Sequence, residues 1–209
     1  MHHKKNLVIS GKSMAEANKA MIMLHGRGAD ARDILSLAQY FPVQGYALLA
    51  PEATNNTWYP YSFMAPVTEN EPWLSSALDL VDEVVNDVIV AGIDRENIII
   101  MGFSQGACLT LEYAARHAFR YGGIVAFTGG LIGAKLHTGN YKGDFEQTPV
   151  FVGSSDPDPH VPVSRVQESV AILRGMNAVV TEKIYPGMGH TINQDEFMQV
   201  NKLLFGHAI

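Results

Sequence analysis

Short, nearly unbroken apolar runs recur along the chain, and stretches of helical periodicity lie between them. Ala20–Leu24, Tyr46–Ala50, Ile98–Met101, Gly123–Phe127 and Val150–Val152 carry almost no polar residue, and Ala178–Ile184 also reads as a strand. A strand covered on one face alternates apolar and polar residues. A strand covered on both faces need not, because neither side meets water. Leu74, Ala77, Val81, Val84 and Val88 fall three or four residues apart, which places them on one face of a helix over 73–90 that Gly92 stops. Further helices are expected over 105–117, over 162–174 closed by Gly175, and over about 194–205. This alternation implies an α/β chain whose doubly wound, mostly parallel sheet has helices on both faces. No repeat or linker divides the 209 residues, so a single domain over 1–209 is expected.

Composition removes several functional classes. A net charge of −6 argues against a nucleic-acid or anionic-membrane partner, since phosphate binding needs clustered Lys and Arg. The one basic run, His2–Lys5, reads as a frayed start, and no apolar stretch is long enough to span a bilayer. The single Cys108 excludes an internal disulfide and fits a reducing compartment, so a cytoplasmic location is expected. Oligomeric state is left open between monomer and homodimer.

In a doubly wound sheet, ligands bind beyond the carboxyl ends of the strands. The segments at those ends are LHGRGAD (24–30), PEATNNTWYPYSF (51–63), GFSQGA (102–107), GSSDPDPHVP (153–162) and YPGMGH (185–190). GFSQGA joins a strand to a helix, the setting of a nucleophile elbow in which a sharp turn exposes a serine hydroxyl. Positions two before and two after such a serine are crowded, and Gly102 and Gly106 occupy them around Ser104. The following helix N-terminus presents N–H groups to developing negative charge, Gln105 first.

Serine needs a base and an orienting acid, in the chain order Ser, Asp or Glu, His. His2, His3 and His207 lie near the ends, His137 in a polar loop and His117 late in a helix. Of the histidines at strand ends, His25 precedes Ser104, while His160 and His190 follow it. His190 also follows every acid of the 153–158 loop, and Gly187 and Gly189 beside it would let that loop reach the serine. It is the favoured base.

Taken together and in order, LHGRGAD, GFSQGA, SSDPDPHVP and YPGMGH resemble the phospholipase/carboxylesterase family of α/β-hydrolases over nearly the whole chain. The resemblance implies the α/β-hydrolase fold, a Ser–Asp–His triad, no cofactor, no metal, and a carboxylic ester or thioester as the small-molecule substrate. It maps the nucleophile to Ser104 and the base to His190. The family's acid loop usually reads Gly-x-x-Asp-x-x-Val-Pro, and counting back from Val161-Pro162 gives Asp158, whereas counting forward from Gly153 gives Asp156. The proline that opens the strand, Pro149, favours Asp158 and leaves Ser155 where the glycine usually stands. Asp156 then reads as a turn residue capping its own loop. By the same resemblance, the backbone N–H of Arg27 joins that of Gln105 in an oxyanion hole.

Large apolar side chains in loops need a reason. Trp58, Tyr59 and Phe63, with Leu131 and Ile132 of TGGLIGA, are the candidates for a substrate pocket, the alternative being satellite core. The 51–63 segment departs from the thioesterase branch, which favours a small carboxylesterase. Competing readings are a metal hydrolase built from His25, His160, His190, Asp156 and Asp158, a binding module on a hydrolase scaffold, and Cys108 as nucleophile. No H-x-H or H-E-x-x-H pair preassembles a metal site, and Cys108 lies four residues into a helix, where core packing is its simpler role.

Overall fold

A computed structural model describes residues 3–206. Seven strands form one sheet: β1 (Leu7–Gly11), β2 (Ala20–Leu24), β3 (Ala47–Pro51), β4 (Ile98–Phe103), β5 (Gly123–Phe127), β6 (Pro149–Asp156) and β7 (Val179–Pro186). The spatial order is β1-β3-β2-β4-β5-β6-β7, and every pairing is parallel except β1 with β3. Six α-helices accompany it among the described residues: α1 (Ala31–Leu35), α2 (Val67–Asn70), α3 (Trp73–Val90), α4 (Gln105–Arg116), α5 (Val163–Gly175) and α6 (Gln194–Phe205).

The apolar runs are explained by two cores, one on each face. Ile22, Leu24, Ile98, Ile100, Ile124, Val150 and Val152 point toward α3, α4 and α5. Their neighbours Met21, Met23, Ile99, Met101, Val125 and Phe151 point to the opposite face, against α1 and α6. Alternation along each strand sends successive side chains to opposite faces, so both must be apolar.

Some elements depart from the sequence reading. β1 has mostly half-buried or exposed residues and pairs antiparallel with β3 at the sheet edge, from Leu7 opposite Pro51 to Gly11 opposite Ala47. Such an edge strand has one wet side and no continuous apolar signature. The short α1 is set by a capping box in which Asp30 accepts from the N–H of Asp33 while the Asp33 side chain accepts from that of Asp30. The run at 3–5 is not a frayed start. The His3 ring bonds the Trp58 carbonyl (2.9 Å) and accepts from the Thr54 N–H (3.1 Å), and Lys5 pairs with Asp87 at 2.6 Å. His2 and His207 lie outside the described residues. Among the described residues, no helix is long and apolar enough to cross a membrane.

Strand register places the loops that matter. β4 ends with Phe103 opposite Phe127 of β5, and Phe127 lies opposite Gly153 of β6. β6 and β7 continue together for three more residues, to Asp156 opposite Pro186. Their loops therefore start beyond the rest of the sheet edge, beside the turn that follows β4.

Candidate active site

Ser104 joins β4 to α4 with φ 54° and ψ −117°, a conformation that a non-glycine residue adopts only when its surroundings impose it. A Cβ on Gly102 would overlap the Gly106 carbonyl, as the pairing of the two glycines predicts. Gly106 itself is required for a different contact, because a Cβ there would overlap the carbonyl of Leu24 and crowd that of His25. The Ser104 turn is thus wedged against the end of β2. The Ser104 N–H donates to the Phe127 carbonyl at 2.9 Å, and the Ser104 carbonyl accepts from the Cys108 N–H at 3.0 Å.

Three side chains from separate loops meet here. Ser104 Oγ lies 2.8 Å from Nε2 of His190, and Nδ1 of His190 lies 2.9 Å from Oδ2 of Asp158. The other carboxylate oxygen of Asp158 accepts from the N–H groups of His160 (2.8 Å) and Val161 (2.9 Å). Burial would raise the Asp158 carboxyl. The bonds from the His160 N–H, from His190 and from the Val161 N–H outweigh it and hold the group below the ordinary carboxylate value. An ionised Asp158 accepts from Nδ1–H and so leaves Nε2 free to accept the serine proton.

The local cap expected of Asp156 belongs instead to Asp158, whose one carboxylate caps the 158–161 turn and holds the imidazole. Asp156 ends β6 with an exposed side chain, and its backbone carbonyl accepts from Gly187 at 2.9 Å. Ser155, buried at the end of β6, accepts from the Gly189 N–H at 2.9 Å and ties the His190 loop to the strand. The sequence hint for that tie was the serine standing where the family pattern has glycine. The exposed His160 ring stands edge-on to His190, with centroids 4.9 Å apart. His25 is fully buried, with Nδ1 on the Gly26 carbonyl (2.8 Å) and Nε2 accepting from the Ala53 N–H (3.1 Å), so both ring nitrogens serve the fold.

A cavity of about 660 Å³ opens at Ser104 and His190 and is bounded by Tyr59, Phe63, Cys108 and Val161. Two of the expected pocket residues, Tyr59 and Phe63, line it. The other three do not. Trp58 is fully buried, with its indole N–H on the His25 carbonyl at 2.9 Å. Leu131 and Ile132 are core residues because two buried charged side chains draw their loop inward. Arg165 donates to the carbonyls of Leu131 (3.1 Å) and Gly133 (2.6 Å), and Glu112 accepts from the Ile132 N–H at 3.0 Å. Cys108 reaches the cavity, but burial pushes its thiol up to about 12, so it carries its proton at neutral pH.

Gly26 and Arg27 border the serine. A Cβ on Gly26 would stand 3.5 Å from that of Ser104. The Arg27 side chain, which the sequence reading left without a role, donates to Thr57 Oγ1 and to the carbonyls of Pro60, Tyr59 and Tyr61, all within 2.9 Å.

A mostly parallel seven-stranded sheet with helices on both faces and a serine at a tight strand–helix turn defines the α/β-hydrolase fold. Residues 3–207 match the Phospholipase/Carboxylesterase family, and the chain belongs to it. This is a hydrolytic family, and the relatives found carry the names carboxylesterase and acyl-protein thioesterase. A solved phospholipase/carboxylesterase from Dyadobacter fermentans is 58% identical, covers 98% of both chains and superposes with a TM-score of 0.97. Acyl-protein thioesterase 1 of Saccharomyces cerevisiae is 30% identical over 203 residues, which are 86% of this chain and 88% of that one. Acyl-protein thioesterase 1 of Gibberella zeae is 32% identical over 123 residues, and there the match spans about half of the relative, 52% of its length.

Proposed function

We propose that the protein is a serine esterase that cleaves carboxylic esters through an acyl-enzyme, with residues 1–209 acting as one catalytic domain. The observation that carries this reading is the unbroken hydrogen-bond chain from Ser104 Oγ through His190 to Asp158. In the first half-reaction, Ser104 Oγ attacks the ester carbonyl carbon while Nε2 of His190 takes the hydroxyl proton. The carbonyl oxygen becomes an oxyanion facing the backbone N–H groups of Arg27 and Gln105. The C–O bond to the leaving group then breaks, and His190 delivers the proton to the departing alkoxide. Water repeats the sequence on the acyl-serine and releases the carboxylic acid. Asp158 holds the Nδ1–H tautomer and stabilises the imidazolium throughout.

The name of the yeast relative supports a second reading, in which the leaving group is a thiol and the substrate an acyl thioester. The same steps serve both, and a panel of aryl esters and acyl thioesters separates them. The decisive experiment is Ser104→Ala with fluorophosphonate labelling of the parent protein. Activity should fall by about three orders of magnitude or more with folding retained, and the probe should label Ser104 alone. A variant keeping more than about a tenth of the parent kcat would end the serine-hydrolase reading, and an unlabelled parent would favour a binding module.

A further inference from the structure

The two residues whose amides would form the oxyanion hole come from the loop after β2 and from the first turn of α4, and their side chains converge on the 57–61 loop. Gln105 accepts from the Trp58 N–H at 2.9 Å through Oε1 and donates to the Tyr59 carbonyl at 2.8 Å through Nε2. Arg27 donates to that same carbonyl oxygen at 2.9 Å, and the Thr57 hydroxyl does so at 3.1 Å. The loop of Arg27 is also joined to Asn56, just before the 57–61 loop. The Gly28 N–H donates to the Asn56 carbonyl (2.8 Å), and the Asn56 amide donates to the Ala29 carbonyl (2.9 Å).

We infer that Arg27 and Gln105 are positioning residues, whose side chains hold the two backbone amides in register with each other for the oxyanion through the shared Tyr59 carbonyl. The inference rests on the serine-esterase reading above. The donors lie on separate chain segments, and a donor helps only if it waits where the charge will develop. A backbone loop free to move by a fraction of an ångström would have to reorganise during the reaction. The Gln105 amide stands on the packed Ser104 turn, and tying the Arg27 segment to the 57–61 loop that Gln105 also holds removes that freedom.

An exposed arginine at a cavity mouth has an obvious rival role, as an anchor for an anionic substrate. The hydrogen bonds argue against it. Nη1 donates to Thr57 Oγ1 and the Pro60 carbonyl, and Nη2 to the Tyr59 and Tyr61 carbonyls, so all four terminal N–H groups are used within the protein.

The test uses Arg27→Met, Arg27→Lys and Gln105→Met, which keep the backbone amides. Each is assayed on one uncharged aryl ester, and for inhibition by a trifluoromethyl ketone and the matching methyl ketone. The first ketone adds to the serine and forms an oxyanion; the second binds without doing so. Arg27→Met and Gln105→Met should each lower kcat about 10- to 100-fold with KM within about twofold. Trifluoromethyl ketone affinity should fall in proportion, and methyl ketone affinity should hold. Arg27→Lys should recover part of the loss, and the double Met variant should lose less than the product of the single losses. Unchanged kcat and trifluoromethyl ketone affinity in folded Arg27→Met and Gln105→Met would overturn the inference. So would a loss in Arg27→Met that is absent on the uncharged ester and appears, on an anionic aryl ester assayed beside it, only as a raised KM. If Arg27→Met does not fold, Arg27→Lys and Gln105→Met decide by the same ratio of ketone affinities. An active Ser104→Ala would sink the parent reading, whereas an inactive one beside unaltered Arg27→Met and Gln105→Met would sink this inference alone.

Discussion

The turn that carries Ser104 and the loop that carries His190 both rely on paired glycines, for opposite reasons. Gly102 and Gly106 have ordinary backbone angles, and it is space that forbids a side chain, since a Cβ at either would enter a neighbouring carbonyl. Gly187 and Gly189 have nothing within 4 Å of where a Cβ would stand, but their φ values are 67° and 78°. The serine is positioned by exclusion, inside packed backbone. The histidine is positioned by hydrogen bonds on a half-exposed loop, through Ser155, Asp158 and the cap of α6. A side chain added to the first pair of glycines should cost folding, and errors on the histidine side should cost catalysis or modest stability.

Asp158 tests the second side most severely. Asp158→Asn should reduce kcat by about four orders of magnitude, because the amide no longer holds the imidazole in the working tautomer. Asp156→Asn should stay near the parent rate on the same aryl ester, with circular dichroism confirming both folds. The reverse pattern would move the acid to position 156. Gly106→Ala tests the first side, and it should destabilise by about 3 kcal/mol or more in urea unfolding, since backbone rather than a flexible side chain stands in the way. A loss below about 1 kcal/mol would show that β2 and α4 can part cheaply and break the contrast.

Glu196 sharpens the account of the histidine side, because it closes the capping box that starts α6 just after the His190 loop. One carboxylate oxygen accepts from the Asn193 N–H at 2.9 Å; the other is buried without a partner, against Gly153. Burial raises the group from its ordinary 4.5 to about 7, with Asp195 adding to the rise and the Asn193 bond opposing it. The folded protein therefore holds this proton more tightly than the unfolded chain. The associated stability is complete below about pH 4.5 and is lost as pH rises through about 7. Glu196→Gln imitates the protonated group and should gain on the order of 1–3 kcal/mol at pH 8.5 and little at pH 4.5. Equal stability of the two proteins at pH 8.5 would refute the assignment. The smallest effect is expected at Gly189, where Ala should cost about 1 kcal/mol and Asn less, since Asn tolerates a left-handed backbone. Melting temperatures of the three proteins check this ranking.

What the sequence determined by itself rests on rules that act over a few residues. Strands covered on both faces show as unbroken apolar runs, and helix 73–90 shows as a three-and-four spacing; both stand where the pattern placed them. The tight turn at Ser104 is legible because its steric requirement falls on positions two before and two after. The count from Pro149 to Asp158 comes from the family resemblance and not from a local rule, since β6 ends at Asp156. Tertiary structure decided the rest. Whether Trp58, Leu131 and Ile132 face a cavity or the core depends on His25, Glu112 and Arg165, at least twenty residues away in the chain. The four acceptors of the Arg27 guanidinium come together only where loop 57–61 folds across it. An apolar loop residue states that it must leave water, but the partner that receives it is chosen by packing and by the nearest unpaired donor or acceptor, and neither is written locally.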